Sequence, residues 1–401
     1  MSDQHEDVPR PGILLFLAVC LIAANMRATI TGIGPLLEQI EADTGLAAAT
    51  LGALASVPLV IWALVSPFAH DLSQRFGLTR VVLWSLVALA AGTVLRSLPG
   101  PTASLWAGTV VIGAALSVAN VLMPAVIKRD FAARVPVVTS VYTALLGGMG
   151  AVASGIVVPI SHLPTPGGEA GWRVALLATG ALLPFAIILW VIAQRRNPRR
   201  DDIRAPGPRA RTGIWADRTA WLVGGYMGMQ SAAFYMLVTW LAPIAISEGR
   251  SEVVAGFDVM LFQLMTIVGS LTLPTLLRGR LERWVPGMLP ALAITGTIGL
   301  LTAPSTLTLW GMLAGLSTGA ALGMSLTLMA SRARDHATAT ALSGMAQSIG
   351  YIIGAAGPIT FGALHSAVGG WQASLGLLLA TLLTQAGIGF AVGRSRFVLE
   401  R

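Results

Sequence analysis

Apolar runs about as long as a bilayer is thick follow one another along nearly the whole chain. A hydrocarbon core of about 30 Å takes roughly 20 helical residues at about 1.5 Å each. Runs of that length recur at 13–37, 46–69, 78–98, 103–127, 136–161, 172–194, 217–246, 253–277, 285–303, 306–330, 337–364 and 371–393. The expected fold is an all-α integral membrane protein with twelve transmembrane helices. Composition agrees: 55% of the 401 residues are hydrophobic and 11% charged, where soluble domains carry about 25%.

The net charge of +8 would suit nucleic acid, but the basic residues lie in short loops beside the apolar runs, and a membrane surface explains them better. All but four of the 26 Lys and Arg fall on one side of the predicted spans. The exceptions are Arg27, inside the first span, and Arg96, Arg173 and Arg250 in the opposite loops. By the positive-inside rule both termini are expected to be cytoplasmic. The segment before the first run lacks a basic n-region, and the run is too long for a signal peptide, so the first span is expected to be retained. The single cysteine, Cys20, sits in an apolar span, where a packed small hydrophobe is the expectation.

One long polar stretch, 195–216, carries Arg195-Arg196-Asn197-Pro198-Arg199-Arg200-Asp201-Asp202 and divides the chain into six spans and six spans. The expected units are bundles at 1–194 and 217–401 joined by this cytoplasmic linker. The halves share landmarks in the same order about 200 residues apart. Gly113-Ala114-Ala115-Leu116 leading to Arg129-Asp130 matches Gly319-Ala320-Ala321-Leu322 leading to Arg334-Asp335. Gly155 and Pro159 match Gly354 and Pro358, and Gly171-Trp172 matches Gly370-Trp371. A parallel duplication of a six-span unit is the major facilitator design, with its site between the halves.

Several stretches carry a more specific likeness. Ala24-Asn25-Met26-Arg27 with Thr31-Gly32-Ile33-Gly34-Pro35-Leu36-Leu37, and Met123-Pro124-Ala125-Val126-Ile127-Lys128-Arg129-Asp130-Phe131, resemble the cyanate/2-nitroimidazole transporter family (CynX/NimT). So do Gly228-Met229-Gln230-Ser231 with Tyr235 and Trp240-Leu241-Ala242-Pro243, and Gln347-Ser348-Ile349-Gly350-Tyr351 with Gly357-Pro358. The resemblance implies a carrier of small solutes in a bacterial inner membrane, with spans 1, 4, 7 and 10 lining its cavity. The facilitator loop Gly-x-x-x-Asp-Arg-x-Gly is altered to His70-Asp71-Leu72-Ser73-Gln74-Arg75-Phe76-Gly77. Asp71, Arg75, Arg129, Asp130, Arg334 and Asp335 are the candidate gating and interdomain residues.

Arg27 is the residue with the sharpest physical meaning. A guanidinium near mid-membrane costs about 2.5–3.5 kcal/mol and cannot escape by losing its proton. Either it faces a cavity that receives an anionic or polar group, or it clamps helix carbonyls or a carboxylate. The other deep polar side chains are Asn25, Asn120, Gln230, Tyr235, Gln263, Gln347 and Tyr351, and Trp62 and Trp240 could stack a ring. Asn25 and Gln230 occupy corresponding places in the repeat and are read as facing amides. A guanidinium with amides and phenols suits a small oxyanion, carboxylate or nitro group. Against this, amides in spans often make only interhelical hydrogen bonds.

No acid occupies mid-membrane. Asp258, on the outer side of span 8, is the candidate proton-coupling group; without one the carrier is a uniporter or moves protons on its substrate. Neither a metal-ligand cluster nor a phosphate-binding loop appears, so no metal, cofactor or ATP is expected, and the chain reads as no enzyme. The expected function is secondary transport of a small anionic or polar solute (cyanate, nitroheterocycle or carboxylate-like) by a monomeric carrier, in the uptake direction. The alternatives are a drug or metabolite exporter of the same fold and, less favoured, an intramembrane enzyme. Arg27 argues against cationic drugs.

Overall fold

The computed structural model describes residues 12–196, 212–278, 282–334, 336–394 and 397–399. Most of the expected linker, and Asp335, lie outside them. Among the described residues, twelve helical segments are long and apolar enough to cross a membrane. In the N-terminal half, span 1 is α1 (Ile13–Thr31) with α2 (Leu37–Thr44), and α3 (Ala48–Phe76), α4 (Leu78–Ser97), α5 (Thr102–Asp130) and α6 (Val135–Ser161) are unbroken spans. Span 6 is the pair α7 (Gly171–Ala178) and α8 (Leu183–Arg196). A two-residue hairpin, β1 (Pro164–Thr165) with β2 (Gly168–Glu169), caps the α6–α7 connection. The C-terminal half comprises α9 (Arg218–Ser247), α10 (Glu252–Leu276), the pair α11 (Val285–Met288) and α12 (Pro290–Thr302), α13 (Leu307–Ser331), α14 (His336–Val368) and α15 (Trp371–Gly393).

Local chemistry sets the breaks. A 3-10 turn at Gly34–Leu36 separates α1 from α2, where Pro35 brings no N–H and the glycines weaken the helix. Two helix starts carry side-chain caps: Asp217 accepts from the Ala220 N–H and Ser251 from the Val254 N–H.

The halves meet through two helix pairs, α3 against α14 and α6 against α10. Spans 2 and 11, and spans 5 and 8, exchange places under the repeat, so the interface is itself two-fold. The fold has two ends, a linker face where α8 stops and α9 starts, and a distal face opposite. On the distal side one buried core is shared by both halves: Ile33, Leu36, Leu37 and Leu51 pack with Trp240, Leu241, Phe262 and Phe361. Backbones touch there. A Cβ on Gly34 would lie 2.4 Å from the Val238 carbonyl oxygen, and one on Gly52 2.3 Å from that of Pro358. Toward the linker face each half keeps a core of its own, and Leu326, Met329, Ser343, Gly344 and Gln347 line an open cleft. The halves are thus joined by a common core at the distal face, whereas toward the linker face the buried cores are separate.

Arg96 is counted with the opposite loops although the run 78–98 includes it, and the structure sides with the run. Arg96 belongs to the last turn of α4 and is buried, with Nη1 donating to the Thr29 carbonyl at 2.7 Å. Gly108 makes the room, since a Cβ there would lie 2.4 Å from the Arg96 backbone nitrogen. The apolar count cannot distinguish an arginine just inside a span from one just outside it.

Candidate functional site

Arg27 lies one turn before the end of α1, midway between the two faces. Its stem packs on Gly150 of α6, where a Cβ would come within 3.1 Å of Arg27 Cγ. Its guanidinium carbon sits 5.1 Å from the centre of the Phe234 ring on α9. Tyr235 and Tyr351 lie within electrostatic reach of it, and the Trp62 ring on α3 meets Tyr351 edge-on at 5.5 Å. The backdrop is braced by hydrogen bonds. Thr31 Oγ1 donates to the Gly150 carbonyl (2.8 Å), Ser154 Oγ to the Thr31 carbonyl (3.0 Å) and Gln263 Nε2 to Ser154 Oγ (2.6 Å). With its Nε2 so used, Gln263 turns Oε1 toward Gly150 and the arginine.

Among the described residues the Arg27 guanidinium has no hydrogen bond and no ion-pair partner, and neither phenol hydroxyl has one. A cation–π contact is worth about 0.5–1 kcal/mol at exposed sites and about 2 when desolvated. Set against the insertion cost of about 2.5–3.5 kcal/mol, the Phe234 ring offsets only part. Five N–H donors therefore remain for water or an anion. Of the two arrangements left open by the sequence, the clamp describes Arg96, held on a helix carbonyl, while Arg27 makes no such contact among the described residues.

The other predicted residues divide. Gln263, Tyr235 and Tyr351 gather at Arg27. Asn120 is half-buried on α5. Gln347 donates to Ser343 Oγ at 2.9 Å and lines the cleft toward the linker face. Asn25 and Gln230 do not face each other. The Asn25 amide folds back onto the Leu21 carbonyl (2.8 Å), and Gln230 donates to the Thr318 carbonyl of α13 (3.4 Å). Trp240 belongs to the distal core, stacked on Phe361 with its indole N–H on the Pro358 carbonyl at 3.0 Å. Asp258 is buried and fully engaged, with one oxygen 2.7 Å from Arg250 Nη1 and the other 2.7 Å from Thr308 Oγ1. On the linker face Arg129 forks both oxygens of the buried Asp130 at 2.9 Å and reaches Thr79 Oγ1. Asp71 and Arg75 are exposed at the end of α3, and Arg334 lies over the Phe397 ring. Sequence reasoning missed Phe234, because a phenylalanine in an apolar run carries no signal of facing a charge.

This architecture, two six-span bundles with Arg27 set between them, is that of a membrane carrier. The chain belongs to the Major Facilitator Superfamily, whose family model matches residues 15–355. It is 35% identical over 386 residues to the 2-nitroimidazole transporter of Escherichia coli K12, covering 96% of each chain. It is 28% identical over 364 residues to the cyanate transport protein CynX of the same strain, covering 89% of this chain and 91% of that one. Among solved structures it is similar to a bacterial homologue of the human lysosomal transporter Spinster in an inward-facing, unoccupied conformation. The TM-score is 0.81 at 16% identity over 95% of this chain and 96% of that one, a likeness of fold. It is a secondary transporter with relatives that are transporters and not enzymes.

Proposed function

We propose that the chain carries a small planar anion or nitro-bearing solute across the bacterial inner membrane by alternating access, with Arg27 as the primary ligand group. The carrying observation is the Arg27 guanidinium, without a charged partner among the described residues, beside two phenols and one amide oxygen. A fork of parallel N–H donors matches the two oxygens of a carboxylate or nitro group, and the Phe234, Tyr235, Tyr351 and Trp62 rings suit a flat body. The relatives named for 2-nitroimidazole and cyanate fit the same chemistry. In this reading both termini are cytoplasmic, net movement follows the solute gradient inward, and the monomer is the working unit.

Thermal-shift titration of the purified protein tests it. 2-Nitroimidazole, cyanate or small aromatic carboxylates should stabilise the fold by RT ln(1 + [L]/Kd), about 2.7 kcal/mol at a hundredfold excess over Kd. Organic amines of the same size should not. Stabilisation by amines alone would overturn the assignment. For orientation, Ala205→Cys in a Cys20→Ser background should resist an impermeant thiol reagent added outside intact cells.

A further inference from the structure

The closed distal face carries titratable groups that solute binding does not use. His162, just past the end of α6, has Nδ1 2.8 Å from Glu169 and Nε2 3.2 Å from Glu252, the first residue of α10 in the other half. Gln39 of α2 donates Nε2 to the same Glu252 oxygen and to Ser161 Oγ. A neutral imidazole has one N–H and one lone pair, and an ionised carboxylate only accepts. One of the two contacts would then set lone pair against lone pair. Both are hydrogen bonds only when the ring carries both protons. The hydrogen bond to Glu169 raises the His162 pKa most, burial opposes it, and the hydrogen bond to Glu252 adds a smaller upward push, so that the pKa stands above its usual value.

Other charged groups at this face are engaged elsewhere. Glu38 and Glu41 of α2 line a pocket with His365 and Trp371. Asp43 is matched by Arg173 at 2.6 Å, Arg250 is turned away onto Asp258, and Glu248 is exposed. The carboxylates that meet His162 are those of Glu169 and Glu252. When the halves part on this side Glu252 leaves with the C-terminal half, and His162 keeps only Glu169, a hairpin residue whose side chain is 65% exposed. The closed state holds the proton more tightly than the open one.

We infer that His162 and Glu252 form a proton-dependent latch between the halves, so that closing the distal face takes up a proton and opening it releases one to that side. Acid there holds the chamber shut against it. The inference rests on the proposed alternation of the halves and is independent of what Arg27 binds.

The test uses the full chain in nanodiscs, spin-labelled at Ala42→Cys and Glu248→Cys in a Cys20→Ser background, two exposed positions on opposite halves at this face. Between pH 5 and pH 9 the closed-to-open ratio should fall by up to about tenfold per pH unit within the His162 titration range. His162→Gln and Glu252→Gln should each flatten that response. The response should survive Arg27→Ala. A wild-type distribution indifferent to pH overturns the latch, and so does an unaltered response in both glutamine variants. Distances that move with 2-nitroimidazole but not with pH overturn the latch alone. Distances that move with neither overturn the alternation as well.

Discussion

The centre of the molecule and its distal rim handle charge in opposite ways. At the rim several ions have close partners: Arg173 with Asp43, Arg250 with Asp258, His162 with Glu169 and Glu252. At the centre Arg27 has an aromatic face and no counter-charge. Apart from the buried Asp258, these rim residues lie near water, where an ion pair is worth only about 0–1 kcal/mol, yet they are paired. The central residue, where pairing would matter most, is not. Stability alone would place the partner at the centre. Its absence there supports the proposed arrival and departure of a solute at Arg27, as the cross-half contacts of His162 support the proposed latch at the rim.

The strongest way to break this contrast is to remove the central charge. Arg27→Ala should abolish measurable binding and transport while leaving thermal stability equal or higher, because an isolated charge is withdrawn from the membrane interior. Arg27→Lys keeps the charge and loses the fork; each charge-assisted hydrogen bond lost is worth about 1.5–3 kcal/mol, a drop in affinity of tenfold or more by calorimetry. Normal uptake by Arg27→Ala in proteoliposomes would move the site elsewhere.

Asp258→Asn probes the rim. It strands Arg250 beside a neutral amide, at a cost of about 1.5–3 kcal/mol in stability. Because both Asp258 oxygens are committed within the C-terminal half, the dependence of uptake on a proton gradient should be unchanged. Loss of that dependence in a stable Asp258→Asn protein would restore Asp258 as the coupling group.

How much of this could be read from the chain is itself physical. Span ends were legible to within a few residues, as at 371–393 and 78–98, because length against bilayer thickness and the loop charges both report them. The breaks at Gly34–Leu36 and between Ala178 and Leu183 were not, since apolar residues continue through them. Which way a side chain points was least legible. In a soluble helix the polar stripe shows the outer face, whereas here lipid and core are both apolar. Asn25 and Trp240 were therefore placed at the right depth and given the wrong neighbours. Arg27 was legible because its cost does not depend on direction.

Trp240→Phe separates the two regions at a gentler level. It keeps the ring in the Phe361–Trp371 stack and removes the hydrogen bond to Pro358. A loss of about 1 kcal/mol in stability with ligand affinity unchanged is expected. A tenfold loss of affinity would bring Trp240 back to the chamber.

The smallest effect concerns the rim proton. The His162 pKa is raised in the folded protein, so its contribution is fully present below the unfolded value, about 6.5, and is lost as pH rises through the folded value. Its side chain is 39% exposed, which brings solvent screening and limits the contribution to about 0.2–1 kcal/mol. The melting temperature should therefore fall slightly as pH rises from about 6 to about 9, and His162→Gln should lose that slope while keeping its binding of 2-nitroimidazole. An increase in stability over the same range would mean that the ring is neutral when the face is closed. The rim would then hold by packing alone, and its contrast with the chamber would reduce to one unpaired arginine.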